Sequence, residues 1–189
     1  MRMKWWWVTM GLIGCGGTSG AITGEPVSTL TSVTSSSVTS SSVTSGDTVP
    51  GTPSAAEVEM AFHRLMSVRL ECGRRPGSCP VDELAVAGSS IHGELFDLMN
   101  MRAEAGITAS SRGSLRYRVD DVRVDGDTAT IDACLTDDTV MVMDGAIFDE
   151  STLSATVQWA MSLTETGWKW STWRFISVTR EGDLCAFTE

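Results

Sequence analysis

Residues 115–136 read Leu-Arg-Tyr-Arg-Val-Asp-Asp-Val-Arg-Val-Asp-Gly-Asp-Thr-Ala-Thr-Ile-Asp-Ala-Cys-Leu-Thr. Two β-favouring runs flank Asp125-Gly126-Asp127, a combination that predicts a hairpin. Over 128–136, Ala129, Ile131, Ala133 and Leu135 share one face, and Thr128, Thr130, Asp132 and Cys134 share the other. A strand of this kind is covered by a core on one side only. Downstream, residues 139–143 form a third strand or its continuation, ending at Asp144-Gly145. Residues 153–163 alternate again, with Leu153, Ala155, Val157, Trp159, Met161 and Leu163 on one face. Thr164-Glu165-Thr166-Gly167 reads as a turn, and 168–178 return as a strand. Strict alternation there places Trp168, Trp170, Arg174, Ile176 and Val178 on one side, and Trp173 and Phe175 on the other.

Upstream the period changes from 2 to 3.6. Ser54 with Glu57 three residues on is a capping-box pattern. Val58, Phe62, Leu65 and Arg69 then fall on one helical face, and the helix fades near Cys72-Gly73. CGRRPGSC (72–79) is a loop, after which Asp82 is placed to cap a short helix over 82–87. Ser89 or Ser90 caps a further helix in which Ile91, Leu95, Leu98 and Arg102 share a face, and Gly106 suits its stop. Helices first and meandering strands afterwards predict an α+β domain, N-terminal helices on an antiparallel sheet, over residues 54–189.

The preceding residues have a different character. Between Thr31 and Ser45, twelve of fifteen residues are Ser or Thr and Ser-Val-Thr-Ser recurs every five residues. One small apolar residue per five cannot offset ordering entropy, so 15–53 is expected to be a disordered tether. As a flexible coil it reaches roughly 35 Å. Residues 1–14 begin with Arg2 and Lys4 and continue as a ten-residue apolar run, WWWVTMGLIG (5–14). That run is too short to span a bilayer and fits the apolar region of a signal peptide.

The whole chain has 189 residues with 14 basic and 24 acidic side chains, a net charge of −10. An acidic chain repels phosphate, which excludes general nucleic-acid binding and disfavours electrostatic attachment to anionic lipid.

Two resemblances add to this reading. Leu12-Ile13-Gly14-Cys15 resembles a bacterial lipobox. It implies that Cys15 receives a diacylglyceryl group, that cleavage leaves it first in the mature chain, and that acyl chains such as palmitate hold the protein on the outer side of the cell membrane. Two acyl chains suffice for stable anchoring. Residues 54–189, with Val124-Asp125-Gly126-Asp127-Thr128-Ala129, Cys134 and Gly167-Trp168-Lys169, resemble the NTF2-like (cystatin-like, SnoaL-like) domain of actinobacterial surface lipoproteins. That implies helices packed on a strongly curved antiparallel sheet enclosing a conical cavity.

With Cys15 lipidated, Cys72, Cys79, Cys134 and Cys185 remain, and an exported context favours disulfides. Four cysteines allow three pairings. Cys72 and Cys79 flank a loop that closes easily, and the lipoprotein resemblance supports joining Cys134 to Cys185. Their spacing is poor for zinc.

No nucleophile elbow, phosphate loop or paired-histidine zinc motif is present. Enzymes of the NTF2-like fold, such as ketosteroid isomerases and polyketide cyclases, use cavity carboxylates as bases. On that resemblance Asp132, Tyr117 and His63 are the candidate acid–base set; a cavity position for Asp132 would raise its pKa. Trp173 is the candidate ligand-stacking residue, while Trp159, Trp168 and Trp170 are expected in the core. The loop acids Asp137, Asp138, Asp144, Asp149 and Glu150 are expected to be solvated, and no metal or cofactor is called for. The reading that results is a lipid-anchored envelope protein whose domain binds a small hydrophobic ligand or an envelope protein without catalysis. Its alternatives are an isomerase, dehydratase or cyclase, and an accessory subunit of an envelope transporter or cell-wall enzyme.

Overall fold

The structure, a computed structural model, describes residues 53–180 and 182–187. The expected signal peptide, lipidated Cys15 and almost all of the tether lie outside the described residues.

Helix α1 (Ala55–Arg74) starts in a capping box: the Glu57 backbone N–H donates to Ser54 Oγ and the Ser54 N–H donates to Glu57 Oε2. Its buried face is Val58, Phe62, Leu65 and Met66, at helical spacing. A disulfide between Cys72 and Cys79, Cα atoms 4.6 Å apart, closes the chain around a 3₁₀ turn at Pro76–Ser78. Helix α2 is a single turn (Val81–Leu84), shorter than expected. Asp82 lies inside its first turn and caps nothing; its carboxylate meets His92 Nε2 at 2.8 Å. The chain then leaves the helix because Ala85 bridges Trp170 in parallel and the Val86 N–H donates to the Trp170 carbonyl at 2.8 Å. Helix α3 (Ser90–Glu104) is capped by Ser89 and ends at Gly106, whose φ of +65° glycine adopts without strain.

Four long strands form one antiparallel sheet in the order β2 (Leu115–Asp125), β3 (Thr128–Asp137), β6 (Leu153–Thr164), β7 (Gly167–Thr179). Its concave face is built in cross-strand rows: Val119–Ala133–Val157–Phe175, then Val122–Ile131–Trp159–Trp173, then Val124–Ala129–Met161–Trp170. Helices α1 and α3 pack on this side, with Phe62, Leu65, Met66, Leu95 and Met99 buried against the sheet. The fold is therefore α+β, N-terminal helices packed across an antiparallel sheet, as the sequence predicts.

Two differences from the alternation reading have a backbone cause. Register shifts in β7, around Ser171 and around Ile176, each insert one residue. The first brings Trp173 and Phe175 to the same concave face as Trp168 and Trp170 and turns Arg174 outward; the second returns Val178 to the concave side. Second, residues 139–143 do not continue the main sheet. Strands β4 (Met141–Met143), β5 (Ala146–Asp149) and β1 (Ile107–Ala109) form a separate three-stranded sheet in the order β1-β4-β5.

Candidate functional site

The interior of the cone is filled by side chains. Trp159 and Trp170 are 2% and 0% exposed, their ring centroids 4.8 Å apart, and Phe62 from α1 meets both edge-on at 5.7 and 6.3 Å. Met66, Met99 and Met161 are also buried in this cluster. Such T-shaped and offset aromatic pairs contribute beyond their burial. The indole N–H groups of Trp159 and Trp170 have no hydrogen-bond partner among the described residues.

Trp173, the candidate stacking residue, lies where this aromatic column reaches the surface. It is half-buried and stacks on Trp159 at 5.1 Å, with Phe175 at 5.0 Å on the same strand. Its indole N–H donates to Glu94 Oε2 of α3 at 2.9 Å, which pins the ring between sheet and helix.

The structure divides the candidate acid–base set. His63 Nδ1 and Tyr117 Oη are hydrogen-bonded at 2.8 Å between α1 and β2, and His63 Nε2 lies 3.6 Å from Glu59 one turn earlier. Burial pushes the Tyr117 phenol up. Asp132 is not with them. It sits on the opposite, convex face, in the row Asp121–Asp132–Gln158–Arg174. Arg123 Nη2 and Gln158 Nε2 each donate to its carboxylate at 2.7 Å, and Arg174 Nε donates to Gln158 Oε1 at 2.9 Å. Partial burial would raise its pKa, but the Gln158 and Arg123 hydrogen bonds and the positive charge of Arg123 hold the carboxyl below its ordinary value. The expected cavity base is thus an ionised carboxylate in a surface network, because β3 alternates and Ile131 and Ala133 take the concave positions.

The upper part of the convex face carries a second construction that sequence reading reached only through its cysteines. Cys185 is joined to Cys134, Cα atoms 5.5 Å apart, laying the C-terminal tail across the sheet. Asp183 accepts from Thr136 Oγ1, Ser154 Oγ and the Cys185 backbone N–H, which together lower its pKa, the Cys185 N–H most. The guanidinium groups of Arg116 and Arg118 lie over the Phe187 ring at 5.4 and 6.0 Å.

Two features take their character from the tertiary structure. Arg102, grouped there only by helical spacing, is 8% exposed; burial and then the neighbouring Arg69 push its pKa down to about 10, against the opposing effect of Asp137 and Asp149. The β4–β5 hairpin carries Met143, Ile147 and Phe148 exposed at 37, 50 and 47%. Among the described residues no group of three or more His, Cys, Asp and Glu converges to hold a metal ion, and no helix is long and apolar enough to cross a membrane.

No protein-family model and no curated protein matches the sequence. Solved structures resemble the fold. The intermembrane-space region of the chloroplast protein ARC6 aligns with a TM-score of 0.54 at 15% identity, over 66% of this chain and 98% of that one. An NTF2-like protein of unknown function from Silicibacter pomeroyi aligns at 0.42 with 12% identity, over 65% of this chain and 99% of that one. A domain of unknown function with a cystatin-like fold from Nostoc punctiforme aligns at 0.41 with 15% identity, over 70% and 82%. At 15% identity the likeness to the ARC6 region is one of fold alone.

Proposed function

We propose that this chain is a lipid-anchored lipoprotein of the bacterial cell envelope whose NTF2-like domain binds a protein partner through its outer surface. The observation that carries the reading is the packed interior: Trp159, Trp170, Phe62, Met66 and Met161, each at most 2% exposed, lie between helices and sheet, where the NTF2-like resemblance implies a cavity. The separation of Asp132 from His63 and Tyr117 weighs the same way. Two disulfides fit an oxidising compartment outside the cytoplasm. Cys15 and the Ser/Thr-rich segment supply the anchor and the reach, with Arg2 and Lys4 removed with the signal.

The test is a titration of the full chain with a panel of small apolar molecules, read by tryptophan emission. The buried Trp pair reports on its own surroundings, so the expected result is no saturable change. A saturable shift that disappears in Trp159→Phe would place the ligand inside the cone and return weight to a small-molecule binder or enzyme.

A further inference from the structure

We infer that the β4–β5 hairpin is the partner-binding surface, and that it takes an extended polypeptide strand with apolar alternation and Lys or Arg at its ends. The inference rests on the outer-surface reading and names the kind of partner.

Three observations carry it. The first is exposed apolar surface. Met143, Ile147 and Phe148, spanning six residues, are exposed at 37, 50 and 47%. All four residues of β5 are exposed. By the register Met143 sits opposite Ala146 and Ile147 opposite Val142, so the two lie on opposite faces of the hairpin with Phe148 at its bulge, and the apolar exposure surrounds the β5 edge on both sides. The turn that presents them is a two-residue hairpin turn: Asp144 and Gly145 have φ of +52° and +78°, the positive values that match strand twist.

The second is an open backbone edge. β5 is the last strand of the order β1-β4-β5, and among the described residues no strand pairs with its outer side. The edge offers backbone N–H and C=O groups of Ala146–Asp149, with one irregularity at Phe148 where the pairing to β4 shifts by a residue. An added strand satisfies them while its alternate side chains meet Ile147 or Phe148.

The third is charge. Asp144 occupies the turn, and Asp149 and Glu150 close β5. A Cβ on Gly106 would lie 3.8 Å from Asp144 Oδ1, so the end of α3, with exposed Glu104, stands beside the same turn. Arg102 offsets Asp149 from below but is itself buried. Arg112 is at the hairpin's base, where its carbonyl accepts from the Val140 N–H at 3.0 Å. The tip is therefore apolar with an acidic rim. That rim repels anionic lipid and a second copy of this acidic chain, and it attracts a strand carrying Lys or Arg outside its apolar core.

The test uses the full chain and two fluorescent peptides with the same Val-Thr-Val-Thr-Val-Thr core, one flanked by Lys-Lys at both ends and one by Glu-Glu, read by polarisation. The Lys-flanked peptide is expected to bind at least tenfold tighter, with the preference shrinking as salt is raised. N-methylation of alternate core amides, which removes peptide donors without touching the protein, is expected to weaken binding at least tenfold. The double variant Ile147→Ser/Phe148→Ser is expected to lose a similar factor, and Phe96→Ser, exposed on α3, none. Equal affinity for the two peptides, indifference to N-methylation, or binding unchanged by the double variant would each overturn the inference. So would two other findings: sedimentation showing a dimer that the double variant dissolves, or hairpin-dependent binding to phosphatidylglycerol vesicles. Failure here with the Trp emission still silent to apolar molecules removes the hairpin and leaves the outer-surface reading standing.

Discussion

Neighbouring residues of β3 belong to two different kinds of structure. Ile131 is fully buried on the concave face between Val122 and Trp159; Asp132, one residue on, lies between Asp121 and Gln158 on the convex face and accepts from Arg123. The concave side is held by packing, with aromatic rings and methionines of α1, β6 and β7 interlocked. The convex side is held by directed bonds: a charge ladder at its middle and, above it, a tail fixed through Cys185 and Asp183. Packing energy is lost in proportion to the volume removed, whereas an exposed charge ladder is discounted by solvent. The two faces should therefore answer mutation on very different scales.

The largest expected effect is on the concave side. Trp170 is fully buried and touches both Trp159 and Phe62. Trp170→Ala should lower stability by about 3–5 kcal/mol, read as a shift in the urea midpoint. A loss under about 1 kcal/mol would mean that the cone is not filled as described, and the contrast between faces would fall with it.

The next effect belongs to the convex side and is covalent. Cys134 and Cys185 are 51 residues apart in sequence, Cys72 and Cys79 only 7. If each bridge acts by restricting the unfolded chain, replacing the first pair by serine costs about 4 kcal/mol and the second about 2 kcal/mol. Urea unfolding of the two double variants checks the order. A reversal would show that the short loop does more in the native state than close the turn after α1.

The two faces were also unequally legible in the sequence. The alternation of 128–136 and 153–163 gave the concave rows of β3 and β6 directly, because a regular strand transmits period 2 without error. The β7 faces were not legible beyond Trp170. A bulge is set by how main-chain pairs fit a curved sheet, and the side chains near Ser171 and Ile176 carry no mark of it. Strands β1 and β5 are not legible because strands of three and four residues, partly or wholly exposed, leave too few apolar positions to show a period. The alternation puts Asp132 on the face of Thr130 and Cys134, where the structure has it, but carries no mark of which face the helices cover. The tail was legible in its cysteine, while the Asp183 contacts depend on a chain reversal that no local pattern encodes.

A smaller effect separates the tail's polar contacts from its disulfide. Asp183 has a folded pKa below its unfolded value because backbone and hydroxyl donors hold the carboxylate. Its contribution is present above the unfolded pKa, near the ordinary 3.8, and is lost as pH falls through the folded value. Asp183→Asn should therefore be less stable than the parent at neutral pH, and the gap should narrow as pH drops below about 4. Paired urea midpoints between pH 7 and pH 3 read this out. A gap independent of pH would attribute the tail's hold to Cys185 and Phe187 alone.

The smallest effect is expected at Asp132, beside a residue of the core. Its ion-pair partner Arg123 stands on the solvent side, and its own side chain is 34% exposed. Asparagine keeps an acceptor for Arg123 and loses the charge. The stability loss in Asp132→Asn should stay under about 1 kcal/mol, the range of exposed ion pairs. It should also shrink in acid, since the depressed pKa means that the carboxylate contributes above the unfolded value and ceases to as it protonates. Ile131→Val, the removal of one methyl group one residue away, should cost about 0.5–1.5 kcal/mol with no such dependence on pH. If Asp132→Asn proved the more damaging of the two at pH 7, the convex ladder would be a structural element in its own right and the division of labour between the faces would have to be redrawn.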